Sequence, residues 1–329
     1  MFHEAMFWIS AGEGAVVCSL CAHRCRIRKG DFGLCGMRQN VDGELCTFAY
    51  GEIVAGNVDP IEKKPFYHFL PGSYAYSIAT AGCNFTCGFC QNWAISQRSE
   101  KNQKIPGRSF TPSGIVAEAI KSDCMSIAYT YTEPTIFFEY AYDIARIAKK
   151  KGLSNVFVTN GYMTEEATNM ILPHLDASNV DLKFFSDKSY RSVCRGSLQP
   201  VLDHIRMLKE AGVWVEVTTL IVPGMNDSKA ELKGIAGFLA GLDVNIPWHL
   251  SRFHPDHRIT YIAPTPVETM LLGKEIGLEE GLRYVYLGNV QPSGDTVCPG
   301  CRTKVVRTPD FLETGRCLMC GSEIAGVWK

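Results

Sequence analysis

The sequence predicts an α/β protein: a parallel sheet wound with helices as a full or partial (β/α) barrel, flanked by two short cysteine-rich appendages. Three observations lead there. Seven segments rich in Val, Ile, Tyr and Thr cross the middle of the chain, several as nearly unbroken apolar runs, which is how strands buried on both faces of a parallel sheet read. Helical patterns with their own start signals stand between them. Tight cysteine groups lie on either side of this alternation, at residues 18–35 and 298–320.

The predicted strands are 74–80 (YAYSIAT), 126–131 (SIAYTY), 155–160 (NVFVTN), 178–183 (SNVDLK), 213–222 (VWVEVTTLIV), 247–253 (PWHLSRF) and 284–289 (YVYLGN). Between them, Thr265-Pro266-Val267-Glu268 reads as a capping box with proline at the first helical position. Ser228 with Glu231 repeats the box, and Thr111-Pro112 is a weaker version. Ile136, Tyr140, Ile144 and Ala148 fall on one helical face at four-residue spacing, a face that should pack on the sheet. In a sheet of this kind chemistry gathers at the C-terminal strand ends. Texture divides the chain into a cysteine-rich segment at 1–73, a core at 74–291 and a tail at 292–329.

Composition narrows the function classes. The chain has 329 residues, 46% of them hydrophobic, enough for one large core with small appendages. Its formal net charge is −1 and no basic run stands out, so neither a nucleic-acid nor a membrane-surface partner is expected. The N-terminus lacks the basic start of a secretory signal, and no apolar run reaches the roughly 18 to 20 residues that span a bilayer. A soluble, cytoplasmic protein is expected. Fourteen cysteines in such a chain point to metals rather than disulfides. Cys46, Cys124 and Cys194 stand apart and read as ordinary buried thiols.

The most specific motif is Cys83-Asn84-Phe85-Thr86-Cys87-Gly88-Phe89-Cys90, directly after the first core strand. Three thiolates from one compact loop suit an iron–sulfur cubane and leave one of its four irons open for a ligand. The competing reading is a zinc loop completed by a distant residue. In the tail, Cys298, Cys301, Cys317 and Cys320 form two C-x2-C knuckles, the spacing of a zinc ribbon or a rubredoxin-like iron site. A segment this short has too little core to fold without such a staple. At the N-terminus, Cys18, Cys21, Cys25 and Cys35 could hold zinc or an auxiliary cluster, with His23 able to replace one ligand.

The C-x3-C-x2-C spacing, with aromatic Phe89 before the last cysteine, resembles the radical S-adenosylmethionine (SAM) superfamily. That resemblance implies a partial (β/α)6-type TIM barrel and a [4Fe-4S] cluster whose open iron is chelated by SAM. Reductive cleavage then gives methionine and a 5′-deoxyadenosyl radical that abstracts hydrogen. Thr132-Glu133-Pro134 is similar to the Gly-Glu-Pro stretch that meets the SAM amino group, although Tyr131 and Thr132 stand where the family has two glycines. Asn160, in Val158-Thr159-Asn160-Gly161, follows the third strand. Asp181-Leu182-Lys183 resembles the Asp-Leu-Lys of glycyl-radical activating enzymes, where lysine meets the SAM carboxylate. Phe253-His254 is similar to their Pro-Phe-His, with the imidazole near the ribose. Those enzymes carry aspartate at the position of Val158. Over about nine tenths of its length the chain resembles the AmmeMemoRadiSam-system radical SAM enzymes, relatives of pyruvate formate-lyase activating enzymes. Their name records a genome association rather than a reaction. The implied partners are an electron donor such as flavodoxin or ferredoxin and a substrate that is a protein or a small molecule. An inactive barrel serving as a metal-binding interaction module is the reading from another class.

Overall fold

The computed structural model describes residues 3–97, 107–290 and 295–328, and it is organised around one eight-stranded sheet. Its strands are β1 (Ala55–Pro60), β2 (Tyr74–Ala79), β3 (Ser126–Tyr129), β4 (Ser154–Thr159), β5 (Ala177–Asp181), β6 (Trp214–Ile221), β7 (Trp248–Arg252) and β8 (Val285–Gly288). They lie side by side in chain order. β2 to β8 are parallel, and β1 runs antiparallel to β2 with Ala55 opposite Ala79. Among the described residues the edges of the sheet are β1 and β8.

Parallel neighbours cannot be joined by a tight turn, so each pair needs a crossover. The crossover helices are α1 (Pro112–Lys121), α2 (Phe138–Lys150), α3 (Glu165–Ile171), α4 (Leu198–Glu210), α5 (Lys229–Leu242) and α6 (Val267–Glu279). Residues covered on both sides lose all contact with water, which explains the apolar runs: Ile127, Ala128, Val156, Val180, Val217 and Leu250 are each 0% exposed. The α2 face behaves the same way, since Tyr140, Ile144 and Ala148 are also fully buried. Ile136 is buried too, but lies in the preceding 3-10 turn, Pro134–Phe137.

All seven predicted strands form. β1, the eighth, lies inside the segment expected to be an appendage, so the sheet begins before residue 74. The expected boundary at 291/292 lies outside the described residues. Two helix starts follow expectation, with Thr111 Oγ1 accepting from Gly114 N at 3.1 Å and Ser228 Oγ from Glu231 N at 3.2 Å. The third does not. Pro266 is the N-cap of α6 and offers no side-chain cap, while Thr265 Oγ1 accepts from Phe253 N and donates to Ile221 O. That hydroxyl ties β6 to the segment after β7 and is unavailable as a cap.

The N-terminal segment makes two small antiparallel sheets. One joins Trp8–Ser10, Val16–Cys18 and Arg26–Ile27, and the other His3–Glu4, Arg38–Val41 and Glu44–Thr47. The tail has its own apolar cluster, Cys298, Val305, Phe311, Cys317 and Ile324, packed with Tyr284 and Tyr286 from the β8 segment. Its Val327 pairs with Phe69, and Arg307 meets Glu62 at 3.2 Å. No helix among the described residues is long and apolar enough to cross a membrane.

Candidate active site

The C-terminal ends of β2 to β7 open onto one cavity of about 440 Å³. Cys83, Cys87 and Cys90, in the loop after β2, line it together with Phe89, Thr132, Glu133, Asn160, Asp181 and Lys183. The backbone before the first of these thiols admits only glycine. Gly82 has φ +97°, and a Cβ there would lie 2.5 Å from Met37 Cγ and 3.1 Å from Cys35 O.

Each sulfur has a neighbour suited to a thiolate. Cys83 Sγ accepts from Phe85 N at 3.3 Å and faces Asn160 Nδ2 at 3.7 Å. Cys90 Sγ is 3.2 Å from Ser96 Oγ, and Cys87 Sγ is 3.4 Å from Cys194 Sγ. Burial pushes the Cys83 and Cys90 thiols above their ordinary range, so thiolates persist in this pocket when a bound cation compensates them. Three sulfurs with donors around one cavity fit an iron–sulfur cluster held at three corners. Cys194 is buried as expected of an isolated thiol, but its place against Cys87 is not legible in the sequence. It lies 107 positions from Cys87 and nothing local marks it.

Glu133 ties the segment after β3 to the end of β4. Its Oε1 accepts from Thr135 N, Thr135 Oγ1 and Thr159 Oγ1 at 3.0, 2.6 and 2.7 Å, and its Oε2 accepts from Asn160 N at 2.8 Å. Burial pushes this carboxyl up, against the pull of those donors. Two oxygens offer about four lone-pair sites, so Oε2 retains capacity for one more donor. Thr132 Oγ1 donates to Thr80 O at 2.8 Å, which commits its hydrogen to the scaffold. Tyr131, where the resembling family has glycine, sits at φ +63°. Its hydroxyl binds Asp59, its carbonyl accepts from Asn92 Nδ2, and Lys64 Nζ lies 3.9 Å above its ring. Those contacts offset the cost of a left-handed non-glycine residue.

Asn160 is a wedge between Glu133 and the cysteine loop, its Nδ2 donating to Asn84 Oδ1 at 2.7 Å. Lys183 Nζ pairs with Asp181 Oδ2 at 2.7 Å. Burial alone would press this ammonium down, but the Asp181 carboxylate and neighbouring cysteines hold it well above the usual lysine value. Val158 also lines the cavity, whose acidic side chains among the described residues are Glu133 and Asp181. His254 is exposed and does not line it; Nε2 meets the lining residue Gln91 at 2.9 Å.

In the tail, the four cysteine sulfurs all lie within 4.8 Å of one another. Cys298–Cys320 and Cys301–Cys317 are each 3.7 Å apart, close to the roughly 3.8 Å that Zn–S bonds of about 2.3 Å impose in a tetrahedron. Cys18, Cys21, Cys25 and Cys35 line a second, smaller cavity.

This combination of an α/β sheet and a three-cysteine loop at the strand ends is matched by the family model of the radical SAM superfamily, over residues 77–236. Residues 77–236 therefore carry a radical SAM domain. It is 42% identical over 332 residues to the uncharacterized protein MJ0808 of Methanocaldococcus jannaschii, covering 98% of each chain. To the pyruvate formate-lyase-activating enzyme of Clostridium pasteurianum it is 21% identical over 170 residues, covering 49% of this chain and 67% of that one. Its fold is shared with a radical SAM methyltransferase from Sphaerobacter thermophilus, with TM-score 0.53, 18% identity and 67% of each chain covered.

Proposed function

We propose that the chain holds a [4Fe-4S] cluster on Cys83, Cys87 and Cys90 in a partial (β/α)6-type barrel and cleaves SAM reductively to abstract hydrogen from a substrate. The supporting observation is the convergence of those thiols with Lys183 and Glu133 on one 440 Å³ cavity, a volume typical of cofactor sites. When bound, the cluster supplies the electron that breaks the sulfur–C5′ bond of SAM, giving methionine and a 5′-deoxyadenosyl radical. The chain's own residues bind and orient. Lys183 shares its ammonium between Asp181 and the SAM carboxylate, a charge-assisted contact. Glu133 accepts from the SAM ammonium through Oε2 while Oε1 stays tied. Phe89, Val158 and Leu220 keep apolar wall against the reacting centre. His254 meets the ribose only by exchanging its contact with Gln91.

The tail, in this reading, carries one structural zinc on Cys298, Cys301, Cys317 and Cys320. The residues named in the sequence resemblance support a place among the AmmeMemoRadiSam-system enzymes. Reduction needs a low-potential one-electron donor of the flavodoxin or ferredoxin class. Similarity to an enzyme named for activating another protein favours a protein substrate over a metabolite. The test supplies reduced enzyme and SAM with candidate partner proteins and, separately, with a size-filtered metabolite extract. Production of 5′-deoxyadenosine should rise above the uncoupled rate with a protein. A rise confined to the low-molecular-weight fraction refutes the protein substrate.

A further inference from the structure

We propose that Cys18, Cys21, Cys25 and Cys35 hold a second, four-iron cluster set directly behind the Cys83 loop as its electron-transfer neighbour. The electron-transfer half of this inference rests on the reading of the Cys83 loop given above.

The four thiols converge on one cavity whose other walls include Leu20, Ile27, Leu34, Ile136 and Arg38. Their spacing separates a cluster from a single ion. Among the described residues, the tail quartet is the group whose sulfurs gather within 4.8 Å, as one tetrahedral ion demands. The N-terminal four do not gather so closely, and neither do Cys83, Cys87 and Cys90, the set matched to a superfamily that ligates a cubane. A cubane presents iron at its corners and accepts ligands that stand wide apart. Collapse of the N-terminal set onto one ion is opposed by the loops that carry it. Cys18 N donates to Cys25 O at 2.9 Å, Gly33 N to Arg38 O at 2.8 Å, and Ala22 N to Tyr162 O at 3.0 Å.

Arg38 supplies a second, independent observation. It is 2% exposed and lines the cavity, and its Nη1 lies 3.5 Å from Cys18 Sγ while its buried Nε has no partner among the described residues. On its other side the guanidinium pairs with the Glu139 carboxylate, and Nη1 also donates to Met6 O at 2.8 Å. A buried guanidinium in the wall of the thiols' cavity and in contact with Cys18 suits a site that gathers negative charge, as thiolates on a cluster do.

The two cysteine sets share a wall. His23 Nε2 meets Asn84 O at 2.8 Å, between Cys21 on one side and Cys83 on the other. Cys35 O lies 3.1 Å from where a Cβ on Gly82, the residue before Cys83, would stand. One electron leaves the reduced N-terminal cluster, which returns to its 2+ state, and reduces the 2+ cluster on the Cys83 loop to 1+. An external low-potential one-electron donor then refills the first.

The test uses the full chain, reconstituted anaerobically with iron and sulfide. The Cys83→Ala/Cys87→Ala/Cys90→Ala variant should retain about four irons and four sulfides, and give an S = 1/2 electron paramagnetic resonance signal with dithionite. Wild type should hold about eight irons and show a signal broadened by spin coupling, absent from the triple variant and from one lacking the four N-terminal cysteines. A triple variant without iron overturns the cluster, whether a second zinc or nothing replaces it. A wild-type spectrum equal to the sum of the two variants' spectra overturns the electron-transfer placement. Should the N-terminal variant fail to fold, the triple variant's iron and sulfide content decides the cluster alone. Four irons that survive the triple substitution, with no SAM cleavage by wild type, would instead sink the proposed function and leave this site standing.

Discussion

Replacing Lys183 with alanine should weaken SAM binding both through the contact it removes and through the charge it leaves behind. Lys183 Nζ stands 2.7 Å from Asp181 Oδ2, with the two side chains 15% and 35% exposed. A charge-assisted hydrogen bond to the SAM carboxylate contributes about 1.5–3 kcal/mol. Part of that donor capacity already serves Asp181, which pulls the net figure toward the lower end. In the alanine variant, however, the Asp181 carboxylate remains in the cavity without its cation and faces a second carboxylate. At roughly 1.4 kcal/mol per decade the loss is about 10- to 150-fold in affinity. The Asp181→Asn/Lys183→Ala double variant should therefore bind SAM more tightly than Lys183→Ala alone, and Asp181→Asn alone should bind no worse than wild type. Anaerobic titration calorimetry on reconstituted protein measures all four. Equal affinity in wild type and Lys183→Ala refutes the role given to Lys183. A double variant weaker than Lys183→Ala refutes the part given to Asp181.

Elemental analysis of Cys298→Ala/Cys301→Ala should show loss of about one zinc per chain with iron content unchanged, and loss of iron would contradict a separate tail site. Gly82→Ala forces a side chain into left-handed backbone and against Met37 and Cys35 O. A cost above about 1–2 kcal/mol is expected, read as a lowered thermal midpoint with reduced iron uptake; an unchanged midpoint would contradict the contact. Burial pulls His68 from 6.5 to about 4, and the neutral ring donates from Nδ1 to Ala325 O at 2.6 Å while Nε2 accepts from the Tyr286 hydroxyl. The unfolded chain binds this proton first, so His68's contribution is complete above pH 6.5 and falls as pH drops toward 4, by up to about 1.4 kcal/mol per unit. His68→Gln should be less stable than wild type at pH 7.5 but lose less between pH 6.5 and 5.5. Identical pH slopes in thermal unfolding would contradict that.

What the sequence discloses here follows from how local each signal is. Strands covered on both faces need apolar residues throughout, so β2 to β8 announce themselves. Edge strand β1 carries exposed Asn57 and Pro60 and a buried but paired Asp59, and therefore reads as a loop. The Cys83–Cys90 motif is legible because one loop supplies all three sulfurs. Cys194, which meets Cys87 from a distant π-helical turn, is not. The departure from glycine at Tyr131 is visible in the sequence, but the support from Asp59, Asn92 and Lys64 is assembled only by the fold. Thr265 shows the opposite failure, since its local pattern favours a cap and a tertiary bond to Ile221 takes the hydroxyl.

Reductive SAM cleavage at the Cys83 loop is tested most directly by one measurement. Wild type and the Cys83→Ala/Cys87→Ala/Cys90→Ala variant are reconstituted without oxygen, incubated with dithionite and SAM, and assayed for 5′-deoxyadenosine. Wild type should form it and the variant should form none. Equal formation by both, or none by an iron-loaded wild type, would contradict the assignment.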